Sequence, residues 1–150
     1  KKIKYHNPEE AFIAGLLHDI GVIVLDVSLG DSYGRILRES FNSDIPLINL
    51  ERDILHYDHT NVGYMIIRNW NFAKNLQDAV ENHHYPERKS EDEILSKIVH
   101  FANLVCYKLG HSMSNQIVEV DLLNLESAKY LAISSDLINE ILKETEKSFT

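Results

Sequence analysis

The chain has 150 residues, enough to bury a core of its own without staples. Its 44% hydrophobic and 25% charged residues exclude a disordered segment, a collagen-like rod and a cysteine-dense scaffold. A net charge of −8 with neutral histidines offers no basic face for a phosphate backbone, so nucleic acid is not an expected partner.

In chain order the pattern reads as helix after helix. Lys1, Lys2 and Lys4, like Arg88-Lys89 further on, read as solvated loop charges. Asn7-Pro8-Glu9-Glu10 is a helix start: Asn7 caps, Pro8 suits the first turn, and the two acids favour the positive end of the dipole. From Ala11 to Leu25 the chain is apolar on most sides, which predicts a central buried helix. Asp31 to Phe41 follows, then a break at Asn42-Ser43-Asp44, and Pro46 opens a helix to about His56. Asp58 or Thr60 caps a helix through Met65, Ile66 and Ile67 to Trp70, which Asn71 ends. Ala73 to His84 is a further helix, stopped by Pro86. Ser90-Glu91-Asp92-Glu93 has capping-box spacing, and its helix runs to Leu109 with Gly110 as a left-handed cap. In the tail, Ile117 to Val120 reads as extended, and Leu125–Leu131 and Ser135–Glu146 as helices. The fold class is therefore all-α: one helical domain over 1–150, with 112–150 as a C-terminal extension.

Two expectations concern location. The chain has no run of about 18 consecutive apolar residues, which predicts no membrane span. The segment Lys1–Glu10 has no apolar core of a signal peptide. The lone Cys106 has no partner for a disulfide within the chain and reads as a buried, inert thiol compatible with a reducing cytoplasm. The chain begins without Met and reads as a processed chain or, in preference, as a piece cut from a longer polypeptide.

The composition is unusual in histidine, with eight against one cysteine. His18-Asp19 falls inside the most hydrophobic predicted helix. A buried ionised carboxylate without partners costs several kcal/mol, so Asp19 requires a cation, a donor network or an arginine such as Arg35, Arg52 or Arg68. His83-His84 ends a predicted helix. Adjacent helical residues point about 100° apart, so this pair can turn on one ion only where the helix terminates. His59 lies in the first turn of a third helix. Imidazole and carboxylate are ligands that suit Fe, Mn, Zn or Mg according to their ratio, and no CxxC or HExxH pattern competes with the set.

The order Gly15-Leu16-Leu17-His18-Asp19-Ile20-Gly21, His59-x-x-Val62-Gly63, Trp70-Asn71, His83-His84 and His100-Phe101-Ala102-Asn103 resembles the HD-domain superfamily. More narrowly, the chain resembles its HDOD branch, the HD-related output domains of bacterial signalling proteins. Ala11 to Gly21, Glu51 eight residues before His59, and Arg68-Asn69-Trp70-Asn71-Phe72 carry that likeness, which covers Glu9 to about Leu109. The resemblance implies a helical bundle of the HD type and a divalent metal (Fe, Mn, Mg or Zn, or none) held by His18, Asp19, His59, His83 and His84. It assigns Glu51 and Asn103 to a supporting or degenerate-ligand place.

The pattern also departs from its relatives. Cyclic-di-GMP phosphodiesterases of the superfamily carry Gly-Tyr-Pro after the paired histidines, where this chain has His84-Tyr85-Pro86-Glu87-Arg88. The later Asp of the metal-dependent enzymes corresponds to Asn103. Their first histidine, on a preceding helix, has no match, and the leading helices of such a domain would lie before Lys1. The resemblance therefore implies a cytoplasmic regulatory module with a degenerate metal site, whose partners are bacterial signalling proteins or attached sensory or output domains. The alternative is a metal-dependent phosphohydrolase, a phosphodiesterase or nucleotide phosphatase.

Overall fold

The computed structural model describes residues 5–88, 93–112 and 119–149. Among these every regular element is a helix: α1 (Pro8–Leu17), α2 (Ile20–Leu29), α3 (Asp31–Asn42), α4 (Leu47–Leu55), α5 (His59–Asn69), α6 (Lys74–Asn82), α7 (Glu93–Lys108), α8 (Glu126–Tyr130) and α9 (Ser135–Ser148). The expected all-α class holds. Ser90, Glu91 and Asp92 of the capping box, and Ile117 and Val118 of the extended segment, lie outside the described residues. Asn7 caps α1, and Asn71 and Gly110 end α5 and α7 in the left-handed region, with φ of 59° and 75°.

The single buried helix expected from Ala11 to Leu25 is instead two helices. Asp19 leaves the helical region, with φ −102° and ψ 17°, and the chain turns there before α2. One stripe faces inward, through Ala14, Gly21, Val22 and Leu25, while Phe12, Leu16, Ile23 and Val27 are exposed. A helix apolar on all sides still has only one side against the bundle, and apolar content does not specify which residues that side takes. The stretch 8–29 is also long and apolar enough, by length and composition, to cross a membrane, with mean hydropathy 1.9. That differs from the expectation based on consecutive apolar residues. In the bundle the same stretch packs on α5, α6 and α7 and turns the polar His18-Asp19 inward.

α5 is the axis of the bundle, between α2 and α6, and α7 packs on α1, α6 and α8. The close crossing of α2 and α5 rests on two glycines. A Cβ at Gly21 would lie 1.9 Å from the His59 carbonyl oxygen and 2.9 Å from Gly63 N, and one at Gly63 would lie 2.8 Å from Val80 Cγ1. Three apolar clusters surround this crossing. Val22, Leu25, Tyr33, Ile36 and Leu50 join α2, α3 and α4, and Ala14, Leu76, Ala79, Leu95 and Val99 join α1, α6 and α7. Phe101 and Val105 of α7 pack with Val120, Leu122, Ala128, Ile133 and Ile138, which seats the C-terminal segment. The buried Lys97 donates to the Pro86 carbonyl, tying α7 to the segment just after the histidine pair.

Asp58 fixes the start of α5. Its carboxylate accepts from Thr60 N at 2.9 Å and from the Thr60 hydroxyl at 2.6 Å, while the Asn61 side chain accepts from Asp58 N at 3.1 Å, closing a capping box. Arg52 Nε donates to the same carboxylate at 2.7 Å. Asp58→Ala removes the cap and should lower stability by about 2 kcal/mol. The urea midpoint reads this directly; a midpoint equal to that of the parent would refute the capping role.

Candidate metal centre

Three chain segments supply the site. His18 and Asp19 lie at the α1–α2 junction, His59 at the first position of α5, and His83 and His84 just past the end of α6. α6 stops at Asn82, with His83 as its cap at φ −64° and ψ −18°. The termination required for adjacent histidines to reach one point is therefore present, and their ring centroids are 4.3 Å apart. One ligand atom from each of Asp19, His59, His83 and His84 falls within 4.8 Å of the other three.

The closest approaches are His59 Nε2 to His84 Nε2 at 3.1 Å, Asp19 Oδ1 to His83 Nε2 at 3.3 Å and Asp19 Oδ1 to His59 Nε2 at 3.5 Å. Donors at about 2.1 Å from a common ion stand about 3.0–3.4 Å apart in octahedral to tetrahedral arrangements. These three separations lie close to that range. Asp19 Oδ1 and His83 Nε2 are buried and make no hydrogen bond, a costly state that a cation between them would relieve. His18 lies beside this group: its Nε2 is 3.1 Å from Asp19 Oδ2 and its ring meets His83 edge-on at 4.9 Å. None of Arg35, Arg52 and Arg68 pairs with Asp19; Arg52 is engaged by Asp58.

The acceptors behind the rings set which nitrogen faces the centre. His59 Nδ1 donates to Glu51 Oε2 at 2.6 Å, His83 Nδ1 to the Val80 carbonyl at 2.8 Å, and His18 Nδ1 to the Gly15 carbonyl at 2.7 Å. A neutral ring that donates from Nδ1 keeps a lone pair on Nε2, the form a metal requires. Glu51 is fully buried and accepts also from His59 N at 3.0 Å and from the Tyr33 hydroxyl. It stands behind His59 rather than among the converging atoms. His100 Nδ1 donates to the His83 carbonyl at 2.7 Å. Asn103 lines the adjoining cavity, outside the group of four.

The electrostatics favour a cation. Burial works to raise the Asp19 carboxyl, but the adjacent His18 and His83 imidazoles outweigh it and hold the group well below the usual carboxylate range. Burial lowers His83, and burial together with the neighbouring His83 and His59 rings pushes His84 down to about 2, so both rings are neutral. Burial opposes charge on His59 too, yet Glu51 and Asp19 carry it above the usual imidazole range. The two carboxylates thus favour positive charge at this point, whether a proton or a metal supplies it.

Sequence patterns did not signal Tyr33, the Gly21–Gly63 crossing or the Val80 carbonyl. Tyr33 reads as one more apolar position of α3, and a backbone carbonyl has no signature. His6, His56 and His111 are exposed and stand apart from the cluster. Cys106 is only half-buried and lines the cavity wall rather than the core, and burial pushes its thiol up.

A search among curated proteins returned no match. Among solved structures, a protein of Shewanella amazonensis described as a "Putative phosphohydrolase" shares the fold, with a TM-score of 0.61 and 21% identity over 91% of this chain. The match covers 54% of that protein, so the chain spans about half its length, and at this identity the likeness is one of fold. The model of the HDOD domain family matches residues 1–86, more than half of the chain and all of Asp19, Glu51, His59, His83 and His84. The chain belongs to the HDOD family.

Proposed function

We propose that this chain is a regulatory module built on one divalent transition-metal site, acting through protein interaction in bacterial cytoplasmic signalling rather than by turnover. Asp19, His59, His83 and His84 would hold the ion, with Glu51 orienting His59. The observation that carries the reading is the convergence of these four donors, two of whose ligand atoms are buried and make no hydrogen bond. Three nitrogens and one oxygen suit Fe, Mn or Zn better than Mg, which prefers oxygen and water. When bound, the metal would supply a positive charge that clamps the α1–α2 junction, α5 and the end of α6 to one another.

Two observations favour regulation over hydrolysis. The donor cluster among the described residues offers four ligand atoms, a set that fills one metal site rather than two. The described walls of the cavity beside it carry no Lys or Arg to balance charge on a transferring phosphoryl group. The second reading, a metal-dependent phosphohydrolase, is favoured by the position of that cavity against the cluster and by the description of the Shewanella protein.

Elemental analysis and turnover assays on the purified chain separate the readings. We expect one Fe, Mn or Zn per chain, at least tenfold weaker metal retention in His84→Ala, and no turnover of nucleotides or generic phosphodiesters with Mn or Fe. Turnover that disappears in Asp19→Ala would establish the hydrolase. A chain that takes up no metal would overturn both.

A further inference from the structure

We propose that the C-terminal segment holds the histidine-bearing loop of the metal centre in place, with Lys97 as the positioning residue between the two. The effect on metal binding rests on the metal reading above; the hold on the loop stands on contacts within the chain. The HDOD match ends at residue 86, so α7, α8 and α9 all lie beyond it.

α7 grips the loop after α6 at two backbone carbonyls. His100 Nδ1 donates to the His83 carbonyl at 2.7 Å, and Lys97 Nζ donates to the Pro86 carbonyl. Lys97 and His100 are three residues apart on α7, so both side chains leave one face of it. Their acceptors stand at either end of the stretch His83 to Pro86, which carries two of the four converging donors. The backbone there also closes two turns, with Tyr85 N donating to the Asn82 carbonyl at 2.8 Å and Arg88 N to the Tyr85 carbonyl at 3.0 Å.

Lys97 is buried, and a buried ammonium stays in place only where partners replace its water. α8 supplies two of them. Glu126 Oε1 lies 3.7 Å from Lys97 Nζ, and the Tyr130 ring centroid lies 4.7 Å from it, within cation–π reach. Glu93 Oε2, also at 3.7 Å, comes from α7 itself. α8 is in turn seated on α7, where Phe101 and Val105 pack with Ala128, Ile133 and Ile138. Without the α8 partners the ammonium loses a carboxylate and an aromatic face. Its flexible stem then lets the charge turn to water, which frees the Pro86 carbonyl. His83 and His84 lose one of their two anchors to α7, and with it the fixed geometry that a metal needs.

Glu126 and Tyr130 are exposed, so changing them leaves the core intact. Hydrogen exchange is read on the metal-free full chain, and Zn²⁺ affinity by competition with a chelating dye. Glu126→Gln combined with Tyr130→Leu should speed exchange at the Tyr85 and Arg88 amides at least fivefold beyond any change at Gly63 and Ile67, whose amides open only with the core. Zn²⁺ binding should weaken at least threefold. Tyr130→Phe keeps the aromatic face and should match the parent in both measurements. Lys97→Met should show the full effect, and the α8 changes made on top of it should add nothing, because the route is already cut. Equal exchange at Tyr85 and Arg88 in the parent and the α8 variant would overturn the proposal, as would a further increase on top of Lys97→Met. Faster exchange with parental Zn²⁺ affinity would overturn the link to the metal centre. A chain that binds no Zn²⁺ sinks the metal reading, while the exchange rates still decide the hold on the loop.

Discussion

Gly21→Ala is expected to lose metal retention and to destabilise the chain by about 3 kcal/mol, the upper range for forcing atoms into a packed interior. The added methyl carbon would sit 1.9 Å from the His59 carbonyl oxygen, far inside contact distance, and 2.8 Å from its carbon. Both are backbone atoms at the start of α5, so no side-chain rotation relieves the overlap. α2 must instead move away from α5, which carries Asp19 away from His59 and opens the cluster at its 3.5 Å approach. Gly15→Ala is the control: it is helical and nothing lies within 4 Å of its added Cβ. That change should hold stability level or raise it by a few tenths of a kcal/mol. Urea denaturation and metal analysis of the two variants side by side read the contrast. Equal behaviour would show that the α2–α5 crossing does not set the site.

Glu51 carries the second large effect. It is a fully buried carboxylate that receives the His59 ring, the His59 backbone N–H and the Tyr33 hydroxyl. Glu51→Ala leaves three buried donors without an acceptor and opens a void, and should cost about 4 kcal/mol. Glu51→Gln keeps the shape and is the more telling variant. Its amide offers one acceptor oxygen instead of two and carries no charge, so the His59 ring is held less firmly with its lone pair on Nε2. Metal affinity should fall about 10–100-fold while the fold is retained, as is typical for partners standing behind a ligand. Tyr33→Phe removes one of the three donors and should cost about 1 kcal/mol with metal affinity nearly preserved. Competition against a chelating dye checks the affinities. Parental affinity in Glu51→Gln would remove Glu51 from the site.

Much of this was legible from residue types and spacing. The caps at Asn7, the stop at Pro86 and the left-handed ends at Asn71 and Gly110 act within a few residues of themselves, so local chemistry specifies them. The histidine pair was legible for the same reason: a helix stopped by a downstream proline frees two adjacent rings to turn together. The Ala11–Leu25 segment was misread because its apolar content satisfied a buried helix and a partly exposed one equally. What distinguishes them is where α5 and α7 lie.

The elements, their order and the residue types able to bind a metal follow from the amino-acid sequence, because helix propensity, capping and ligand chemistry are properties of short segments. The tertiary structure decided the rest. It broke the first apolar run at Asp19, brought four donors from three places in the chain within 4.8 Å, and left His18 beside them and Asn103 on the cavity wall. It also set two glycines at the α2–α5 crossing and a buried glutamate behind His59. Those roles depend on how closely two helices approach and which buried donors meet, distances set by packing among segments remote in sequence.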